Sequence, residues 1–272
     1  MAKPYKLLVL DIDGTIMDRN GVISDVDAKA LERARAAGIQ VSLSTGRAVR
    51  ACTKVLIQLA LDGYHIFFDG ALVSNAETGE EVYADPIDRE LVRHMVEYSR
   101  GLDIHMDIYS STRYFIEREN WATEIRRTFY GLEPNLVDFS KLWQQERIIK
   151  ATLVVRSPEE KAKAKEFSLY FKDRLYFSWS GTPAYPNIDF INVLAPDVSK
   201  GVALEALAAF LKIPLDEVVA IGDGANDIPL LSTAGLAIAV DNASAELKAV
   251  ADYITLDVDH SGVAAAIDKY LL

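Results

Sequence analysis

The chain has 272 residues, half of them hydrophobic and a quarter charged, the make-up of a folded globular protein with one large domain or two smaller ones. Its formal net charge of −11 argues against a nucleic-acid backbone or an anionic membrane surface as partner, but leaves open small anions held by a local cation. A single cysteine excludes an internal disulfide and no apolar run reaches transmembrane length, so a cytoplasmic protein is expected.

The first six residues lead into an apolar run too short for the core of a signal peptide. That run, Leu-Leu-Val-Leu at 7–10, has the pattern of a strand buried on both faces of a parallel sheet. It stops at Asp11 and Asp13, with Gly14 and Thr15 beside them. Side chains at i and i+2 of a strand point the same way, so both acids are expected in the crevice at the sheet's carboxyl end. Their crowding implies either a bound cation or one protonated carboxyl. Ser24 or Asp25 caps a helix to about residue 37, ended by Gly38. Residues 39–43 read as a second strand, running into Ser44, Thr45, Gly46 and Arg47. A helical pattern follows to Leu61 and places Cys52 among Val49, Val55, Leu56 and Leu59, as a core residue. Residues 64–68 form a third strand, ending at Asp69 and Gly70. Strands alternating with helices of this length indicate βαβ units.

The rhythm then changes. Residues 72–82 read as a hairpin turned at Glu77, Thr78, Gly79 and Glu80. Asp88 caps a helix to about Arg100, residues 104–108 and 114–116 pair as strands, and Trp121, Ile125 and Phe129 line one helix face. A strand at 148–155 precedes a capping box of Ser157 and Glu160, with Pro158 at the first position of a helix to about Phe171. Strands near 175–178 and 188–193 follow. An inserted α+β domain is assigned to residues 84–187, leaving 1–83 and 188–272 as the core. Tyr109, Arg113, Tyr114, Arg118, Trp179 and Tyr185 are its candidates for facing a ligand. The core pattern resumes with Lys200 heading a helix to Leu211. A strand at 218–221 opens into Gly222, Asp223, Gly224, Ala225, Asn226 and Asp227. A short helix, a strand at 236–240, a helix near 244–250, a strand at 253–255 and a terminal helix complete the chain. His65, His94, His105 and His260 lack the spacing of a zinc site.

Four junctions carry polar signatures: Asp-Ile-Asp-Gly-Thr at 11–15, Ser-Thr-Gly-Arg at 44–47, Ser-Lys-Gly at 199–201 and Gly-Asp-Gly-Ala-Asn-Asp at 222–227. In order and strand-end context they resemble the four motifs of the haloacid dehalogenase superfamily, phosphatase branch. The insertion after the third strand is similar to the Cof-type subfamily, with its large α/β cap. The resemblance implies an α/β fold: a Rossmann-like, doubly wound parallel core with the inserted α+β domain as cap. It implies a phosphatase for small phosphorylated metabolites that works through an aspartyl-phosphate. Asp11 would be the nucleophile and Asp13 the general acid and base. Mg2+ would be held by Asp11, the backbone carbonyl of Asp13, and Asp223, an all-oxygen set suited to a hard cation. Thr45 and Lys200 would contact the phosphoryl group, Lys200 also steadying Asp11. Ser44, Gly46, Arg47, Asn226 and Asp227 would surround the phosphate and the metal. Cap closure would exclude water and supply specificity.

Two positions depart from the Cof-type pattern. Asparagine is usual where this chain has Asp69, and an acid there would either repel a phosphate or bind substrate hydroxyls. Ile228, Pro229, Leu230 and Leu231 replace the commoner Met-Leu ending of the last motif, an apolar change. A phosphomutase that returns the phosphoryl group to its substrate is one competing reading. A sensor that binds a phosphorylated ligand without turnover is another. Neither a nucleic acid nor a membrane is an expected partner, and oligomeric state is not legible.

Overall fold

The computed structural model describes residues 5–182 and 185–272, and their side chains apart from those of 129, 130, 180–182, 185 and 186. Phe129 and Tyr185 therefore lie outside the described side chains. Two compact units emerge. Met1–Arg47, Thr53–Tyr83 and Ser199–Leu272 form one; Ala48–Cys52 and Ala84–Val198 form the other.

The chain begins with β1 (Leu7–Leu10), α1 (Asp25–Ala36), β2 (Gln40–Leu43), α2 (Thr53–Gln58), β3 (Tyr64–Phe67), β4 (Leu72–Asn75) and β5 (Glu81–Ala84). The second unit holds α3 (Arg89–Gly101), β6 (Met106–Tyr109), β7 (Tyr114–Ile116), α4 (Trp121–Tyr130) and β8 (Asn135–Leu136). It continues through α5 (Leu142–Gln145), β9 (Lys150–Val155), α6 (Pro158–Phe171), β10 (Tyr176–Thr182) and β11 (Tyr185–Leu194). The first unit resumes with α7 (Lys200–Leu211), β12 (Val218–Gly222), α8 (Ile228–Thr233), β13 (Leu236–Ala239), α9 (Ala245–Lys248), β14 (Tyr253–Ile254) and α10 (Gly262–Tyr270).

Five strands make the first unit's parallel sheet, in the order β14-β13-β12-β1-β2. Leu7 to Leu10 pair with Val218 to Ile221 on one side and with Gln40 to Leu43 on the other. All four β1 residues are buried, as a strand covered on both faces requires. Helix α1 packs against α10, and α7 against α8. Pro229 sits in the first turn of α8, where its missing N–H costs nothing. The third strand runs parallel to its neighbour, as expected, but lies outside the five-strand ladder. β3 meets β2 through one isolated bridge, Ser44 with Ile66, and pairs antiparallel with β4. Beyond β4 the Asn75 side chain accepts the N–H groups of Glu77 and Thr78 at 2.9 and 3.0 Å, which folds the chain back into β5. Cys52 is buried, as its apolar neighbours in sequence suggested.

The second unit is built on a six-stranded sheet in the order β10-β11-β9-β6-β7-β8. Ile108, Phe115, Leu153, Ile191 and Val193 share an apolar core with Val92 and Met95 of α3 and Phe167 and Phe171 of α6. Ala122 and Ile125 of α4 pack with Val154 and Phe190. β6 is buried along its whole length. The sequence boundary at 187/188 falls inside β11, which pairs with β9 and β10; the compact units divide instead between Val198 and Ser199. Among the candidate ligand-facing residues, Tyr109 and Tyr114 are buried and stack with ring centroids 5.0 Å apart. Arg113 pairs with Glu146, Arg118 with Asp103, and Trp179 is half exposed. Among the described residues no helix is long and apolar enough to cross a membrane.

Candidate active site

Backbone bonds bring the carboxyl ends of four strands together. The N–H of Asp11 donates to Ile221 O at 3.0 Å, that of Ser44 to Leu10 O at 2.9 Å, and that of Thr45 to Ile66 O at 2.9 Å. The loops that follow therefore leave from fixed points. After Asp11 the chain turns, with the N–H groups of Ile16 and Met17 both donating to Ile12 O at 3.1 and 2.9 Å. The two acids have different partners. Asp11 is buried against Lys200. Asp13 is exposed and held by Arg47, through Nε at 2.8 Å and through Nη2.

Lys200 begins α7, whose start is capped where the Val202 N–H donates to Ser199 Oγ at 3.2 Å. Its buried ammonium donates to Asp11 Oδ1 and Asp227 Oδ1, each at 2.6 Å. Burial works against that charge, but the carboxylates of Asp11, Asp227 and Asp69 outweigh it and hold the lysine above its ordinary pKa. Asp227 is fully buried, and its other oxygen accepts the N–H groups of Asp223 and Gly224 at 3.1 and 3.0 Å. Asp223 accepts a hydrogen bond from Thr15 Oγ1 at 3.1 Å. The first and last motifs meet here because Gly14 has no side chain. Its φ is +88°, and a Cβ would lie 2.3 Å from Asp223 Oδ2.

Carboxylate oxygens of Asp11, Asp223 and Asp227 lie within 4.8 Å of one another. Burial pushes Asp223 up to about 6, the Asp227 charge adding to the effect while Thr15 and Lys200 oppose it. Burial also raises Asp11 well above the usual carboxylate range; Lys200 opposes this, and Asp227, Asp223 and Asp13 reinforce it. Three acids around one ammonium leave excess negative charge, which a cation would relieve. The donors are all oxygen, so the cluster fits a hard divalent ion. Asp227 is the third carboxylate of this cluster, a place the sequence reading did not give it.

The remaining candidates cluster around this centre. Thr45 is buried, and its Oγ1 accepts the Arg47 N–H at 3.2 Å. Ser44 is buried, and its Oγ has no hydrogen-bond partner among the described residues. Asn226 Nδ2 donates to Asp69 Oδ1 at 3.0 Å, and a Cβ on Gly46 would lie 2.8 Å from that same oxygen. Two further residues take part. Thr15 holds Asp223, and its place in the first motif was a usable signal. Asn242, whose Nδ2 donates to Gly14 O at 2.7 Å, lies outside every motif and gave none. A buried carboxylate beside an ammonium, hydroxyls and a cation-competent acidic cluster suits the neutralisation and positioning that phosphoryl transfer needs.

Comparison with known proteins gives a consistent picture. Residues 8–267 match the profile of the haloacid dehalogenase-like hydrolases. A Streptococcus pyogenes protein provisionally named a phosphatase is 31% identical over 278 residues, spanning 98% of each chain. A Bacillus subtilis protein named 5-amino-6-(5-phospho-D-ribitylamino)uracil phosphatase is 27% identical over 268 residues, covering 98% of this chain and 96% of its own. A crystal structure from Thermotoga maritima superposes with a TM-score of 0.85 at 26% identity, covering 97% of each chain.

Proposed function

The chain belongs to the haloacid dehalogenase-like hydrolases, and we propose on that footing that it is a Mg2+-dependent phosphatase hydrolysing small phosphorylated metabolites through an aspartyl-phosphate on Asp11. The observation that carries this reading is the buried Asp11, held at 2.6 Å by Lys200 beside Asp223 and Asp227. A relative named for a phosphorylated ribityl compound supports a small metabolite as the substrate class.

An Asp11 oxygen attacks phosphorus, the bond from phosphorus to the leaving oxygen breaks, and Asp13 gives that oxygen a proton. Asp13 then takes a proton from a water whose oxygen attacks phosphorus. The bond to Asp11 breaks, inorganic phosphate leaves, and Asp11 is a carboxylate again. Lys200 keeps Asp11 in place and neutralises phosphoryl oxygens, while the Thr45 hydroxyl donates to one of them. Asp11, the Asp13 carbonyl and Asp223 would hold Mg2+, with the Asp227 carboxylate within reach. The cation supplies charge neutralisation between carboxylate and phosphate dianion. Arg47 grips both oxygens of Asp13 in the resting site. An entering phosphoryl group competes for the guanidinium and frees Asp13 to carry a proton.

The test is phosphate release from p-nitrophenyl phosphate and a panel of sugar phosphates, with protein stripped by EDTA and then given Mg2+. Release that returns only with the cation is the expected result. An ester that binds without turnover would favour a sensor, and transfer of the phosphoryl group to a second substrate hydroxyl would favour a mutase.

A further inference from the structure

At the end of β3 the chain passes through Phe68 and Asp69 with φ of 53° and 56°, a left-handed stretch that a bulky residue adopts only under constraint. The constraint comes from the neighbouring loops. Phe68 N–H donates to Arg47 O at 3.1 Å and Asp69 N–H to Thr45 O at 3.0 Å. Gly70 follows with φ of 104°, and a Cβ there would lie 2.2 Å from Ser199 O, at the start of the helix that carries Lys200. This turn is thus pinned to two of the loops that supply the candidate site. Its side chain reaches a third: Asp69, 4% exposed, accepts from Asn226 Nδ2 at 3.0 Å.

A carboxylate has no proton to donate, so Asn226 must turn its NH2 group toward Asp69 and its Oδ1 away. The Oδ1 atom lies instead on the Gly224 side, where a Cβ would come within 2.6 Å of it. An asparagine at 69 would accept either orientation of the amide. With aspartate there is one, and it leaves the second Nδ2 proton for another acceptor. We propose that Asp69 is a positioning residue, whose buried carboxylate fixes the Asn226 amide so that its second Nδ2 proton meets a phosphoryl oxygen. This rests on the phosphoryl-binding part of the function proposed above. In this role Asp69 acts through Asn226.

A double-mutant cycle of wild type, Asp69→Asn, Asn226→Ala and the double variant decides this. Asparagine tolerates the left-handed backbone, so Asp69→Asn keeps the turn and the melting temperature. Two readouts are compared: kcat/KM for p-nitrophenyl phosphate with Mg2+, and the affinity for inorganic phosphate by calorimetry, which needs no turnover. Asp69→Asn alone is expected to lower both by about tenfold, and to have no further effect in the Asn226→Ala background. The same fold loss in both backgrounds, or no loss in either, would overturn the proposal. If wild type binds phosphate but releases none, the phosphatase reading fails while the coupling in phosphate affinity still decides the role of Asp69. If wild type neither binds nor releases it, both fall.

Discussion

Lys200 is the residue on which the charge balance of the site turns. Its ammonium is buried between two carboxylates, and removing one partner of a buried ion pair leaves charge with nothing to offset it. Lys200→Met is expected to lower stability by roughly 3–5 kcal/mol in EDTA, with part of the loss recovered in Mg2+. Urea unfolding in the two buffers measures this, and an unchanged midpoint in EDTA would contradict it. His65 offers a separate test away from the acids. Burial lowers its pKa from 6.5 to about 4, with Asp62 opposing weakly, and its Nδ1 accepts the Leu43 N–H at 3.1 Å. The folded state keeps this ring neutral while the unfolded chain protonates it, so stability is present above about pH 6.5 and is lost as pH falls toward 4. Between pH 7 and pH 5 the wild type should lose about 2 kcal/mol more than His65→Gln in urea titrations. Equal losses would show that His65 titrates normally in the fold.

At the scale of elements, what holds the site is the way helices and strand ends are tied. Asp27, in the first turn of α1, accepts from Ser24 Oγ at 2.7 Å and from the Ala264 N–H of α10 at 2.7 Å. Ser24 and Ser261 hydroxyls meet at 2.9 Å. Asp27→Ala should therefore cost about 2 kcal/mol, because it leaves a buried N–H unpaired and loosens two helices at once. Urea unfolding checks this, and a loss no larger than that of an exposed surface variant would contradict it. Much at this scale was legible. Leu-Leu-Val-Leu, the Ser157–Glu160 capping box and the Lys200 helix declare themselves through local chemistry, and the structure has a strand or helix at each place. Asp11 and Asp223 were legible because their motifs join residue type to strand-end position, and Lys200 because its motif heads a helix. The Asn226–Asp69 contact spans 157 positions, and no local pattern says which loops will meet.

At the scale of the molecule, the chain builds one parallel sheet, leaves it to build a second unit with its own core, and returns. β11 was hard to place from sequence because a local pattern identifies a strand but not its partner. Its pairing with β9 and β10 assigns it to the inserted unit. A separate core should behave as a separate cooperative unit. Phe167 is fully buried in it, with ring contacts to Phe171 at 4.7 Å and Tyr98 at 6.0 Å. Phe167→Ala should cost that unit roughly 3–5 kcal/mol. By hydrogen exchange, β9 and β11 should lose protection while β1 and β12 keep theirs; equal loss in both units would contradict this.

Asp11 as the nucleophile is tested by phosphate release from p-nitrophenyl phosphate with Mg2+ by wild type and by Asp11→Asn. The side chain keeps its size but loses its nucleophilic charge. Turnover by the variant is expected to fall by on the order of a thousandfold or more, with folding intact by circular dichroism. Release by Asp11→Asn at the wild-type rate would contradict it.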